Sequence, residues 1–135
     1  MRYLLDTNVC VDILSQRYPA VAERLQRCSP EDLCTSSVVV AELRYGADKS
    51  QQSAENHRRI DLLLGDIPCF DFDPNAASVY GRIRTDLEKR GEPIGPYDLM
   101  IAAHALSLRL TLVSDNVREF KRVKGLQVDN WRVSA

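Results

Sequence analysis

Short apolar runs alternate along this chain with longer stretches whose apolar residues recur every three or four positions. Tyr3-Leu4-Leu5 is the first run, and it stops on Asp6. Thr7 to Ser15 then spaces Val9, Ile13 and Leu14 as one face of a helix. Pro19 opens a second helix through Leu25. Leu33 to Thr35 reads as a short strand. Ser36 and Ser37 can cap a following helix that carries Val40, Glu42, Leu43 and Tyr45 and ends at Gly46. The β-branched Val38-Val39-Val40 pulls this segment toward strand.

Gln51 to Leu64 reads as a polar helix, and Ile67 to Phe70 as a strand. Asp73-Pro74 is an N-cap followed by proline at the first helical position, and that helix runs to about Arg90, with Gly91 as its stop. Gly95-Pro96-Tyr97-Asp98 opens the next helix, with Leu99, Ala102, Ala103 and Leu106 as its apolar stripe. Leu110 to Val113 is a strand ending at Ser114-Asp115-Asn116. A helical turn at Arg118 to Phe120 and a last strand at Leu126 to Val128 follow. Strands alternating with helices predict an α/β fold: a parallel sheet of four to five strands, flanked by helices on both faces.

Composition narrows the class. The 135 residues suit one domain, 1–135, and 44% apolar with 27% charged residues describes a globular chain rather than a disordered one. No apolar stretch approaches the roughly 20 residues a membrane helix needs, and Met1 to Leu5 is too short for a signal-peptide core. A cytoplasmic location is expected. The formal net charge of −1 leaves any nucleic-acid binding to local patches. Cys10, Cys28, Cys34 and Cys69 form no C-x-x-C pair, and their apolar neighbours predict reduced core thiols.

Four acids stand apart. Asp6 ends the first strand, Glu42 lies on the helix after the second, Asp98 is in the first turn of its helix, and Asp115 follows the fourth strand. In a right-handed α/β sheet, strand ends and the starts of the following helices share one edge, where ligands bind. Asp98 joins that edge only if the chain carries its helix there. Each acid also has an ordinary role: Asp6 as a cap, Asp98 as a first-turn acid on a helix dipole, Glu42 and Asp115 as surface groups. Several carboxylates at one rim stay ionised together only around a cation. Oxygen ligands select hard ions, Mg²⁺ or Mn²⁺, which serve phosphodiester hydrolysis without histidine. His57 sits in a polar helix, and His104 lies about 240° around its helix from Asp98.

Together these segments carry a family resemblance. They are Leu4-Leu5-Asp6-Thr7-Asn8, Ser36-Ser37, Ala41-Glu42-Leu43 with Tyr45-Gly46-Ala47, Gly91-Glu92-Pro93-Ile94-Gly95-Pro96-Tyr97-Asp98, Ile101-Ala102-Ala103-His104-Ala105, and Val113-Ser114-Asp115-Asn116 with Arg118-Glu119-Phe120. In this order and spacing the chain resembles the PIN-domain ribonucleases, and within them the VapC-type toxins of toxin–antitoxin pairs. The resemblance implies an Mg²⁺- or Mn²⁺-dependent endoribonuclease, usually a homodimer, leaving a 5′ phosphate and a 3′ hydroxyl. It places Asp6, Glu42 and Asp98 as metal-binding acids, with Asn8 orienting Asp6 and Ser114 bonding a water at the ion. The fourth position departs from the family, which often has Thr-x-Asn or Thr-x-Asp there. Asp115 is then a ligand, a water-mediated group, or outside the site with Asn116 facing in.

The Gly91 to Asp98 stretch looks like the toxins that cut transfer RNA in the anticodon loop, initiator transfer RNA among them. A VapB-type antitoxin is implied, whose C-terminal arm crosses the acidic groove with an arginine. Candidate RNA contacts are Arg82, Arg84, Lys89 and Arg90 on one helix, and Arg118, Lys121, Arg122 and Lys124 near the end; phosphate contacts predict salt-dependent binding. Two other readings stand beside this one. A small-molecule phosphohydrolase would use Asp6 as nucleophile, but Asn8 replaces the second acid of its Asp-x-Asp. A catalytically silent RNA- or protein-binding module would need no acids at all.

Overall fold

The computed structural model describes residues 1–133. Five parallel strands form one sheet in the order β3-β2-β1-β4-β5. They are β1 (Tyr3–Leu5), β2 (Leu33–Ser36), β3 (Cys69–Phe70), β4 (Thr111–Val113) and β5 (Val128–Asp129). The helices are α1 (Thr7–Ser15), α2 (Pro19–Gln26), α3 (Ser37–Lys49), α4 (Ser53–Asp66), α5 (Pro74–Lys89), α6 (Pro96–Ser107) and α7 (Val117–Phe120). A 3₁₀ turn at Pro30–Asp32, which the sequence pattern does not announce, leads into β2.

The central strand is β1, with β2 on one side and β4 on the other. The chain fills one side of the sheet as far as β3, then crosses over to β4. The tips of β1 and β4 therefore flank the point where the strand order reverses, the crevice that open α/β sheets use for ligands.

Local chemistry explains most boundaries. The Ser36 hydroxyl accepts from the Val38 amide at 3.1 Å and starts α3. Three valines in a helix cost about 1.5 kcal/mol against alanine. Val38 and Val39 are buried, and each contributes roughly 2 kcal/mol by leaving water, so packing overrides the strand preference. Asp73 caps α5 by accepting from the Ala76 amide at 2.9 Å. The β3 strand is shorter than the apolar run suggests, because the Ile67 amide still bonds to Leu63 in α4.

The core centres on Leu4, Leu5, Val39, Ile101, Leu112 and Phe120, all fully buried. Trp131 closes it beyond β5, edge-on to Tyr3 at 5.3 Å between ring centroids. Two thiols, Cys10 and Cys34, are buried, and burial pushes both up to about 12. Cys69 corrects the expectation of four core thiols: it lies on the edge strand and is exposed. No described helix is long and apolar enough to cross a membrane.

Candidate active site

Asp6 stands at the tip of the central strand and is 4% exposed. It caps α1, since the Thr7 amide donates to its Oδ1 at 2.7 Å. Its other oxygen accepts from the Ser114 hydroxyl at 2.7 Å, across the gap between β1 and β4. Burial pushes Asp6 above the ordinary carboxylate range, the two donors pull it back, and the charges of Glu42 and Asp115 push it further up.

The second acid, Glu42, comes from the second turn of α3. Its Oε1 accepts from the Thr7 hydroxyl at 2.9 Å. Thr7 thus bridges the two acids, one through its amide and one through its side chain. The N-terminus of α3 is itself steadied by buried His104, whose Nδ1 lies 2.7 Å from the Ser36 hydroxyl. Burial holds this histidine below its usual range. It is a packing residue, as its place on the helix implied. His57 pairs with Asp48 on the surface at 2.7 Å.

The start of α6 delivers Asp98 to the same rim. Its carboxyl is pushed up to about 6, first by burial and then by the charges of Asp6, Glu119 and Glu42; a bond from Asn116 opposes the shift. Asn116 Nδ2 donates to Asp98 at 3.4 Å and to Glu119 at 3.0 Å. The amide of Asn116 bonds the Ser114 hydroxyl at 3.0 Å.

Two sequence expectations change here. Asp115 is close enough for its charge to act on Asp6, but both its oxygens are already bonded: Asn8 donates to Oδ1 at 3.1 Å and Arg132 to Oδ2 at 3.0 Å. Its side chain is committed to a cation, and Asn116 takes the place facing Asp98. Asn8 orients Asp115 rather than Asp6, because it lies two residues into α1 and points at the β4 loop. Ser114 holds Asp6 directly.

Sequence reasoning missed four participants. Glu119 had a signal, since Asn116-Val117-Arg118-Glu119 has the spacing of a capping box. Thr7 is adjacent to Asp6, and only the fold puts it against Glu42. Asp12 and Arg132 had none. Arg132 grips Asp12 with two bonds of 2.7 and 3.0 Å across 120 residues of sequence.

Among the described residues, no Lys or Arg forms an ion pair with Asp6, Glu42, Asp98 or Glu119. Nor do three His, Cys, Asp or Glu side chains make a ready ion cage there. The donor set is oxygen only and loosely spaced. That suits Mg²⁺, which takes one or two carboxylates and keeps several waters, better than a dehydrated ion. A groove of about 750 Å³ opens beside Glu42, edged by Tyr45, Lys49, Phe72 and Tyr97.

The basic candidates divide. Arg84 pairs with Glu88, Arg90 with Asp86, and Lys124 with Asp86, while Arg122 bonds the Pro93 carbonyl at 3.0 Å. The first two pairs lie within α5 and its end, while the Lys124 and Arg122 contacts tie α5 and the loop after it to the segment after α7. Arg82, Lys89, Arg118 and Lys121 are exposed and form no ion pair among the described residues.

The PIN domain family profile matches residues 3–126. The tRNA(fMet)-specific endonuclease VapC of Shigella flexneri is 40% identical over 131 residues, covering 97% of this chain and 98% of that protein. Ribonuclease VapC2 of Rickettsia felis is 38% identical over 132 residues, with the same coverage. This chain belongs to the PIN-domain family, among the VapC ribonucleases. The fold of the PIN domain agrees in detail with solved relatives. The Salmonella typhimurium VapBC complex, solved with DNA, superposes with a TM-score of 0.92 at 36% identity, covering 97% of this chain and 98% of that one. VapBC2 of Rickettsia felis, bound to a DNA fragment from its promoter, gives 0.90 at 37% identity, covering 97% and 99%. The parallel PIN sheet expected from the sequence is the one observed.

Proposed function

We propose that this PIN domain is an Mg²⁺- or Mn²⁺-dependent endoribonuclease toxin that cuts transfer RNA and is silenced by a VapB-type antitoxin. One observation carries the reading: buried Asp6 shares a rim with Glu42 and Asp98, and protein cations leave that charge uncompensated. Asp6, Glu42 and Asp98 would hold the ion, with Asn116 and Glu119 completing the polar rim. Such an ion, when bound, would supply an activated water and neutralise charge on a phosphoryl oxygen.

The chain's own residues set the stage for that chemistry. Ser114 and the Thr7 amide fix Asp6 so that it keeps one orientation. The Thr7 hydroxyl holds Glu42 in register with it. Asn116 steers Asp98. With both oxygens engaged and nearly all of it buried, Asp6 is a poor covalent nucleophile, which disfavours the phosphohydrolase reading. Arg118 and Lys121, exposed just beyond Asn116, are the basic residues best placed to meet phosphates.

Relatives that carry the name of a tRNA(fMet)-specific endonuclease support initiator transfer RNA as substrate. Solved VapBC relatives support an antitoxin partner. A second groove of about 310 Å³, lined by Val11, Leu14, Leu43 and Ile60, opens beside Thr7 and Glu42 and suits an apolar antitoxin segment. A guanidinium arriving from that segment would neutralise the same carboxylates that attract the ion. Exposed Tyr45 and Tyr97 support a homodimer.

The test is purified protein with total cellular RNA, with and without Mg²⁺ or Mn²⁺, mapping the cut ends. Metal-dependent cuts confined to an anticodon loop, lost in Asp6→Asn and suppressed by stoichiometric antitoxin, are expected. Full cleavage by Asp6→Asn, or in excess EDTA, would sink the proposal.

A further inference from the structure

Arg132 comes from the segment after β5, yet its two carboxylate partners belong to α1 and to the loop after β4. Its Nε and Nη2 grip Asp12 at 2.7 and 3.0 Å. Its Cζ stacks 4.3 Å from the centre of the Tyr18 ring. Asp12 is 3% exposed, so the guanidinium cannot leave without stranding a buried charge. The third bond, Nη1 to Asp115 Oδ2 at 3.0 Å, therefore comes from a fixed cation. Asn8 occupies the other oxygen of Asp115.

The residues on either side of Asp115 are the ones that hold the site acids. Ser114 donates to Asp6 at 2.7 Å, and Asn116 donates to Asp98 at 3.4 Å. We propose that Arg132 is a positioning residue for the ion site: through Asp115 it pins the Ser114–Asn116 loop, and Asp115 is a strut rather than an ion ligand. This inference rests on the nuclease reading and adds to it a device at the far end of the chain. The opposite arrangement, Asp115 as a ligand and Arg132 as a competing cation, reverses the sign of the effect. Removing Arg132 would then tighten ion binding. In the strut arrangement it loosens ion binding, because the loop that orients Asp6 and Asp98 is released. Partners one bond removed from a metal ligand typically matter by 10–100-fold in affinity or activity.

The experiment measures Mn²⁺ affinity by electron paramagnetic resonance and follows RNA cleavage for the full chain. Arg132→Gln alone leaves Asp12 unpaired and invites unfolding, so it is combined with Asp12→Asn. The double variant is compared with Asp115→Asn, with Arg132→Lys, and with the triple variant. The double variant and Asp115→Asn should each weaken Mn²⁺ by about tenfold and lower kcat more than they raise KM. The triple variant should be no worse than either, since the changes break one connection. Arg132→Lys should restore part of the loss. Tighter Mn²⁺ binding in the double variant overturns the inference. So does an Asp115→Asn variant that abolishes Mn²⁺ binding while the double variant leaves it unchanged. A wild-type protein that binds no Mn²⁺ and cuts no RNA overturns the nuclease reading and the inference together.

Discussion

Asp6 and Asp12 lie six residues apart in the chain and are almost equally buried, 4% and 3% exposed. Their surroundings differ in one respect. Asp12 faces the fork of Arg132, so the protein cancels its charge. Asp6 is held by a hydroxyl and an amide, with Glu42 and Asp98 close by. A buried carboxylate with its own guanidinium is a structural clasp. One surrounded by further carboxylates holds charge in reserve for a cation that arrives from outside.

Exchanging the two aspartates for neutral residues should separate these roles. Asp6→Asn should lower RNA cleavage more than about a hundredfold, with urea unfolding showing a fold at least as stable as the parent. Asp12→Ala should do the reverse. It strands the guanidinium and should cost about 3 kcal/mol in urea unfolding, while cleavage by the folded fraction falls by no more than the roughly tenfold expected from loosening Arg132. Equal destabilisation by both changes would end the distinction.

A finer test uses pH. Asp98 has a folded pKa of about 6 against 3.8 for the free side chain. The charged form is the one disfavoured by folding. The penalty is absent below pH 3.8, grows as pH rises, and is complete above about 6. In metal-free protein, Asp98→Asn should therefore gain about 1–2 kcal/mol at neutral pH, after allowance for solvent screening of a half-buried group. The gain should vanish near pH 4 in chemical denaturation. The same protonation competes with the ion, so Mn²⁺ affinity measured calorimetrically should fall as pH drops below about 6.

The smallest effects belong to the basic surface. Arg118→Gln or Lys121→Gln should each reduce the salt slope of RNA binding by about one. Arg84→Gln should leave it unchanged, since that arginine already spans Glu88 and Tyr80. A larger effect at Arg84 would move the RNA path to α5.

Much of this was legible in the chain itself. The apolar runs fixed where strands form, because a buried parallel strand must be apolar on both faces. Asp73-Pro74 and Gly95-Pro96 marked helix starts through backbone chemistry that acts locally. Asp6 and Asp98 stood out as acids at element ends, and Glu42 as an acid among apolar neighbours on the helix after β2. Val38 to Val40 shows the limit: their helical state depends on burial against distant residues, which outweighs local preference.

Tertiary structure alone decided what each acid faces. The sequence presented Asp115 and Asn116 side by side with nothing to rank them. Their bonding partners come from elsewhere in the chain: Arg132, seventeen residues beyond Asp115, and Asp98, eighteen residues before Asn116. A sequence reports which side chains can carry charge. Whether that charge is spent inside the protein or left for an ion depends on partners that only folding brings within about 3 Å.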